Sequence, residues 1–193
     1  MTQALTTQNL LLSYPNSDDL SALQSFEERN KDHLAKWEST SLSNKISQNC
    51  LELWITECKE GKSVRFLIKP KENSNLIIGF CNFTQIFHGA FQACYLGYKI
   101  DSKYQGKGLM TEALKVSIQY VFDELSIHRI MANYMPINIR SAKVLQRLGF
   151  KIEGYAKNYL LVNSKWEDHV LTALSKEEWQ ESQKQVPNKD RRI

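Results

Sequence analysis

The sequence predicts one α/β (α+β) domain, with a mixed, mostly antiparallel central sheet and helices on both faces. Three observations predict it. Residues 95–100 form a β-branched and aromatic run that passes through a loop carrying Gly106 and Gly108 into a helix-forming run. Apolar stretches with strand-like alternation recur around that unit, and helical stripes interleave with them in the order β-α-α-β-β-β-α-β-α-β-β. The 193 residues, 42% hydrophobic and 24% charged, are enough for one domain with a real core.

Residues 10–14 read as a strand ended by Pro15-Asn16. Ser17 is placed to cap a helix from Asp18, with Leu20, Leu23 and Phe26 as its apolar stripe and Asp18 and Asp19 at its positive end. Residues 29–37 then connect to a second helix, with Trp37 as a plug in the core. That helix is expected from Ser43 to about Glu60, with Ile46, Cys50, Leu53, Trp54 and Glu57 at helical spacing and Gly61 as its stop. Residues 63–69 alternate as a strand, 70–75 turn, and 76–85 and 91–100 are strands about a His88-Gly89 turn. A helix over 108–125 stands behind the glycine loop, and 129–135 is a strand ended by Pro136. Residues 138–148 form a helix with Ala142, Leu145 and Leu148 facing in, stopped by Gly149. Strands over 150–156, then 159–162 and 166–174 about Asn163-Ser164, close the sheet. Ser175 caps a last helix from Lys176 to about Gln185. The core of the domain is expected over about 8–185, and 186–193, with Lys189, Arg191 and Arg192, reads as a flexible basic tail.

Composition excludes several classes. No apolar run approaches a membrane span, and residues 1–9 lack the basic-then-apolar pattern of a secretory signal. Cys50, Cys58, Cys81 and Cys94 form no C-x-x-C pair and read as reduced, mostly buried thiols of a cytoplasmic protein. The four histidines show no metal-ligand spacing, so no metal is expected. A net charge of +4 suits an anionic ligand or an RNA-rich neighbourhood and proves neither.

Residues 100–112 read I-D-S-K-Y-Q-G-K-G-L-M-T-E. The first turn of a helix has unpaired N–H groups and partial positive charge, and glycine lets backbone approach a ligand closely. A pyrophosphate is the natural occupant; the alternative is a solvated turn. Neither common nucleotide motif fits, since there is no G-x-x-x-x-G-K-[ST] and position 111 is Thr rather than a third glycine.

Lys103-x-x-Gly106-x-Gly108 resembles the acyl-CoA loop of the GNAT acetyltransferase superfamily, [QR]-x-x-G-x-[GA]. Lys103 departs from the usual Gln or Arg but keeps a cation there. Asn138-Ile139-Arg140-Ser141 and Leu148-Gly149-Phe150 resemble a second family element at the expected distance. C-Y-L-G-Y (94–98), Y-Q-G-K-G-L-M (104–110), H-R-I-M-A-N-Y-M-P (128–136) and E-G-Y-A-K (153–157) are similar to the RimJ/RimL branch, its RimJ members above all. The resemblance spans about 8–175 and is densest over 76–174. It implies a GNAT fold and acetyl-CoA as cosubstrate. It implies direct transfer, in a ternary complex, of the acetyl group to the N-terminal α-amine of a protein, in that branch a ribosomal protein, with contact to the ribosome or pre-ribosome. It also places residues 29–37 near the acceptor.

The resemblance further implies that strands 95–100 and 129–135 splay apart and the pantetheine arm fills the gap. Gly97 would be a bulge residue whose N–H faces the thioester oxygen; alternatively it relieves crowding beside Tyr95 and Tyr98. Gly106, Lys107, Gly108, Leu109 and Met110 would offer N–H groups to the pyrophosphate, Thr111 a hydroxyl, and Lys103 and Lys107 positive charge. Tyr98, Ile100 and Gln105 complete that wall, and Arg140 and Lys143 would reach the nucleotide end. Asn138 would hold a pantetheine amide, cap its helix, or do both. Many family members carry Tyr four residues after the position of Ser141; this chain has Leu145 there. Ser141 is therefore the candidate general acid, its alternative being a first-turn helix residue.

No general base stands out. Glu153, Asp168 and His169 are candidates from the closing strands, and Glu112 suits helix neighbours or the phosphates better. An α-amine is roughly 10–15% neutral at pH 7 and a lysine amine only about 0.04%, so an N-terminal acceptor tolerates a weak base or water. Two other readings remain: acetylation of a small amine or peptide antibiotic, and a non-catalytic acyl-CoA-binding ribosome-assembly factor. No run interleaves aromatic and basic residues as RNA binding would ask.

Overall fold

One eight-stranded sheet organises the chain, in the order β1-β2-β3-β4-β5-β6-β8-β7. Its strands are β1 (Leu5–Thr6), β2 (Leu10–Ser13), β3 (Val64–Pro70), β4 (Gly79–Phe87), β5 (Ala93–Ile100), β6 (Arg129–Met131), β7 (Lys151–Val162) and β8 (Lys165–Ser175). Among the described residues five α-helices flank it: α1 (Leu20–Leu34), α2 (Gln48–Lys59), α3 (Leu109–Glu124), α4 (Ile139–Arg147) and α5 (Lys176–Gln185). The structure, a computed structural model, describes residues 4–37 and 46–185. Ser43, the expected start of the second helix, and the tail over 186–193 lie outside the described residues. Every neighbouring pair of strands is antiparallel except β5 and β6.

Apolar alternation on the strands gives the sheet two buried faces. On one, Phe66, Cys81, Phe83, Cys94 and Leu96 pack against Met110, Leu114, Ile118 and Phe122 of α3 and Leu145 of α4. On the other, Leu67, Ile77 and Phe80 pack against Leu23 and Phe26 of α1 and Leu51 of α2. Cutting any of these buried leucines to alanine would cost about 2–5 kcal/mol.

Four helix starts differ in one respect from that of α3. Asn16, not Ser17, caps the first helical segment: it forms a capping box with Asp19 around a short 3-10 turn, Ser17–Asp19, which leads into α1. Ser47 accepts from the Cys50 N–H at the start of α2, Asn138 from the Ser141 N–H at the start of α4, and Ser175 from the Glu178 N–H at the start of α5. Helix α3 begins instead at Gly108, whose φ is 78°, with no side-chain cap.

Several boundaries shift from the sequence expectation. The two-residue strand β1 is added at the sheet edge. The expected connection over 29–37 is the end of α1 followed by a 3-10 turn, Ala35–Trp37, and Trp37 is half-exposed rather than a core plug. On α2, Leu53 is 56% exposed and the stripe runs through Leu51 and Cys58 instead. Pro70, expected in the turn, ends β3 opposite Leu10. The two strands expected over 150–162 are one, β7, which absorbs its irregularity between Ala156 and Leu160 with Asn158 at a φ of 49°. The expected strand over 129–135 stops at Met131, for a reason that shapes the site.

Candidate active site

Strands β5 and β6 share only three register pairs, Ala93 with Arg129, Cys94 with Ile130 and Tyr95 with Met131. Beyond Met131 the chain turns to β8: the Ala132 N–H donates to Thr172 O at 3.0 Å, and Tyr134 and Val170 exchange bonds at 3.2 and 2.9 Å. Strand β5 continues along β4 to Ile100. The only parallel pair in the sheet therefore opens, and residues 96–100 border a gap.

Which backbone groups face that gap follows from ladder phase. The Asp101 N–H donates to Ile78 O at 2.7 Å, and the β4–β5 register is regular from Gly79–Ile100 to Thr84–Tyr95. Alternation then turns the N–H groups of Lys99 and Gly97 toward β4 and those of Leu96 and Tyr98 toward β6; the Tyr95–Met131 pairing commits the Leu96 N–H to Met131 O, so the Tyr98 N–H is the one that faces the gap. This corrects the expectation for Gly97. It is no bulge, because the ladder shifts register only between Thr84 and Phe87. Its N–H is committed to β4 opposite Asn82. Nor does it relieve crowding, since a Cβ built there meets nothing within 4 Å. Gly97 leaves open space on the α1 side of the sheet.

The gap widens into a cleft of about 860 Å³. Its walls include Gly97, Tyr98 and Ile100 from β5, Gln105, Gly106 and Gly108 from the loop, Leu109, Met110 and Thr111 from α3, and Asn138, Arg140, Ser141 and Lys143 from α4. Thus thirteen residues singled out from the sequence, eleven of them expected to bind the ligand, meet in one place. Lys103 and Lys107 stand outside its lining. Lys103 is exposed in a 3-10 turn, Ser102–Tyr104, held by the Asp101 carboxylate, and the Lys107 ammonium sits 5.1 Å from the Tyr104 ring centre.

The fit to a pyrophosphate rests on three features. Gly106 and Gly108 have φ of 74° and 78°, which bare the backbone at the loop and which L side chains rarely adopt. The α3 start has no side-chain cap, so its first N–H groups face the cleft without one. Arg140, Lys143 and Arg147 line the same cleft. Arg147 was missed in the sequence, although its spacing from Arg140 and Lys143, seven and four residues, sets all three on one helix face.

Other wall residues were missed or only placed by family resemblance. His33, Leu34, Lys36 and Trp37 close the α1 side, and Phe80 and Asn82 pave the sheet beside Gly97. Ile137 and Ile139 flank Asn138 and are 71% and 56% exposed, an apolar lip with no periodic signal in sequence. Gln105 joins the two sides: it accepts from Arg140 Nη1, and its Nε2 lies 2.7 Å from His33 Nε2. Burial, with Lys36 and Arg140 nearby, pulls the His33 pKa below its ordinary value. Its Nε2 can then accept from the amide.

Ser141 is anchored twice. Its N–H donates to Asn138 Oδ1 at 3.2 Å, and its hydroxyl lies 2.7 Å from the Tyr98 phenol. Burial pushes Tyr98 up to about 12, against the pull of the Ser141 hydrogen bond. None of the three candidates for a base, Glu153, Asp168 and His169, lines the cleft, and neither does Glu112. Glu153 pairs with Arg129. Asp168 accepts from the Tyr155 phenol at 2.6 Å and the Asn158 N–H at 2.9 Å, which hold it below the usual range. His169 is buried and donates from Nδ1 to Glu167 O at 3.0 Å. Glu112 accepts from the Thr7 hydroxyl, the Asn9 N–H and the Asn9 amide, tying the β1–β2 turn to α3 rather than meeting phosphates. Among the described residues no Asp or Glu lines the cleft at all.

Comparison with known proteins places this geometry. The acetyltransferase (GNAT) domain family matches residues 9–151. The chain is 44% identical over 180 residues to the [ribosomal protein uS5]-alanine N-acetyltransferase of Escherichia coli (strain K12), covering 91% of this chain and 92% of that one. The crystal structure of ribosomal-protein-S5-alanine acetyltransferase from Vibrio fischeri superposes with a TM-score of 0.85 at 35% identity, over 92% of this chain and 98% of that one. Mycobacterium smegmatis RimJ in complex with CoA-disulfide superposes with a TM-score of 0.79 at 26% identity, over 91% and 88%.

Proposed function

This chain belongs to the GNAT acetyltransferase family, and from that premise we propose that it acetylates the N-terminal α-amine of a ribosomal protein with acetyl-CoA. The acceptor we assign is the N-terminal alanine of ribosomal protein uS5, the acceptor in the name of the E. coli relative. The observation that carries the reading is the opened β5–β6 pair, whose gap runs from the uncapped start of α3 to Ser141.

Acetyl-CoA supplies the acetyl group as a thioester. The chain's residues then have four tasks. The N–H groups of the glycine loop and the α3 start, with Arg140 and Lys143, hold the pyrophosphate and nucleotide end. The Asn138 amide holds the pantetheine arm while it caps α4. The Tyr98 N–H donates to the carbonyl oxygen as charge develops on it, in place of the Gly97 N–H. Ser141 hydrogen-bonds the departing sulfur, the place of a general acid. The space at Gly97, in the cleft that Phe80, Asn82 and Trp37 also line, admits the amine. An α-amine reaches that space partly neutral, so a lining without a carboxylate among the described residues costs little.

A lining with no carboxylate among the described residues disfavours a polyamine, whose second ammonium would need one. The same reading makes the chain one catalytic domain over about 8–185 that works in the cytoplasm, where ribosomal proteins are made. Its thiols support this, as Cys58, Cys81 and Cys94 are buried and unpaired. Among the described residues no helix is long and apolar enough to cross a membrane. The test is thiol release from acetyl-CoA with three acceptors: a uS5 N-terminal peptide beginning with Ala, the same peptide N-blocked and carrying Lys, and spermidine. Turnover with the first alone is expected. Turnover with spermidine alone would replace this reading with a small-amine enzyme.

A further inference from the structure

We propose that Tyr98 is a positioning residue for acetyl transfer: its phenol donates to Ser141 Oγ and leaves the one hydroxyl proton of Ser141 free to face the departing sulfur. The inference rests on the reading above, in which that sulfur lies beside Ser141.

The argument is a count of protons. Tyr98 and Ser141 each carry one hydroxyl proton, and their oxygens are 2.7 Å apart. If Ser141 donated to Tyr98, nothing would remain to meet the sulfur. The phenol proton would then turn to Ser141 O, at the longer distance of 3.3 Å. If Tyr98 donates at 2.7 Å, the serine proton is released into the cleft that both residues line. A thiolate accepts only, so its arrival selects the second arrangement. Burial keeps the phenol protonated across the neutral range, so the donor is always present.

A second serine shows what Tyr98 prevents. Ser117, inside α3, donates its proton to its own helix, with Ala113 O at 3.0 Å and Leu114 O at 3.3 Å. Ser141 in the first turn of α4 has the same kind of backbone within reach, yet among the described residues its hydroxyl is bonded to Tyr98 instead. Strand β5 thus reaches across to set a rotor on α4.

The step balances without a further reactant. The amine nitrogen bonds the acetyl carbon, the C–S bond breaks with its electron pair on sulfur, and the surplus amine proton leaves to water. Ser141 and Tyr98 keep their protons as hydrogen-bond donors, and the thiolate takes up a proton from solvent afterwards.

The experiment titrates the thiol of bound CoA by its ultraviolet thiolate absorbance on the wild type, Tyr98→Phe, Ser141→Ala and the double variant, alongside steady-state kinetics. The expected result is a thiol that ionises at lower pH on the wild type than on Tyr98→Phe, with the double variant equal to Ser141→Ala. Tyr98→Phe should lower kcat about 10- to 100-fold, the worth of one hydrogen bond to a developing charge, with the KM for acetyl-CoA within about twofold. Equal thiol titrations on wild type and Tyr98→Phe would overturn the inference. So would a loss in CoA binding as large as the loss in kcat, or a further kcat loss when Tyr98→Phe is added to Ser141→Ala. Replacing Tyr98 with 3-fluorotyrosine, a stronger donor that keeps the ring and hydroxyl, should lower the thiol titration further and guards against misfolding of the Phe variant. A wild type that binds CoA but acetylates no acceptor sinks the functional reading alone, because the thiol titration still decides the Tyr98–Ser141 pair.

Discussion

Gly97 separates stability from function at a single residue. Its φ is not in the left-handed region and a Cβ there meets nothing, so the strand itself has no need of glycine. Gly97→Val should raise stability by roughly 0.5–1 kcal/mol, because glycine is costly in a strand interior and a β-branched residue suits one. The same side chain would project beside Asn82 and Phe80 into the cleft and lower turnover by about tenfold or more through misplacement of the acceptor. Thermal melts and steady-state rates on one preparation check both halves, and an active Gly97→Val would show that the amine enters elsewhere. Asn138 can be divided in a similar way. Its Oδ1 caps α4 through the Ser141 N–H, a job serine does as well. Asn138→Ser should melt with the wild type while Asn138→Ala loses about 1 kcal/mol. If the amide also holds the pantetheine arm, both variants raise the KM for acetyl-CoA, about tenfold for one lost hydrogen bond. A normal KM in Asn138→Ser would leave Asn138 as a helix cap only.

At the scale of elements, α3 is set up by its two ends of contact: an open N-terminus toward the cleft and Glu112, one turn in, toward the β1–β2 turn. Burial works against the Glu112 charge, yet hydrogen bonds from Thr7 and Asn9 outweigh it and hold its pKa below the usual 4.5. A depressed folded pKa contributes stability that is complete above the unfolded value and lost as pH falls through the folded one. Glu112→Gln should therefore cost about 1–2 kcal/mol at pH 7, with the gap to wild type closing as pH drops below about 4.5. Chemical denaturation at several pH values measures this, and a gap that does not change with pH would mean the carboxylate is not what holds the turn. The order of α3, α4 and their flanking strands was legible in sequence because glycine, Asn138 and Ser175 punctuate locally. The role of Glu112 was not, since its partners lie 103 and 105 residues away and the acid sits where a helix dipole alone would explain it. The early end of β6 was equally hidden: residues 132–134 have strand character, and only the competition between β5 and β8 for their hydrogen bonds decides the register.

For the whole molecule, the parallel join of three register pairs links the sheet's two halves, β1 to β5 and β6 to β8. The residues lining the gap were largely readable from their motif, but the gap's backbone phase was not, because a one-residue shift along β5 exchanges which N–H groups face it. That phase makes the last prediction specific. CoA filling the gap binds the folded chain alone, so at about a hundred times its dissociation constant it should add roughly 2.7 kcal/mol of stability. Salt should weaken this effect, since the anion sits among Arg140, Lys143 and Arg147. Amide exchange should show where the stabilisation arises. In the free chain the Gly97 and Lys99 amides are already protected by β4 and the Leu96 amide by Met131 of β6, while that of Tyr98 has no partner strand among the described residues and exchanges faster. Adding CoA should slow Tyr98 selectively. Slowing at Gly97 instead would mean that β5 slips by one residue or bulges when ligand binds, and the oxyanion donor would then have to be reassigned to the glycine.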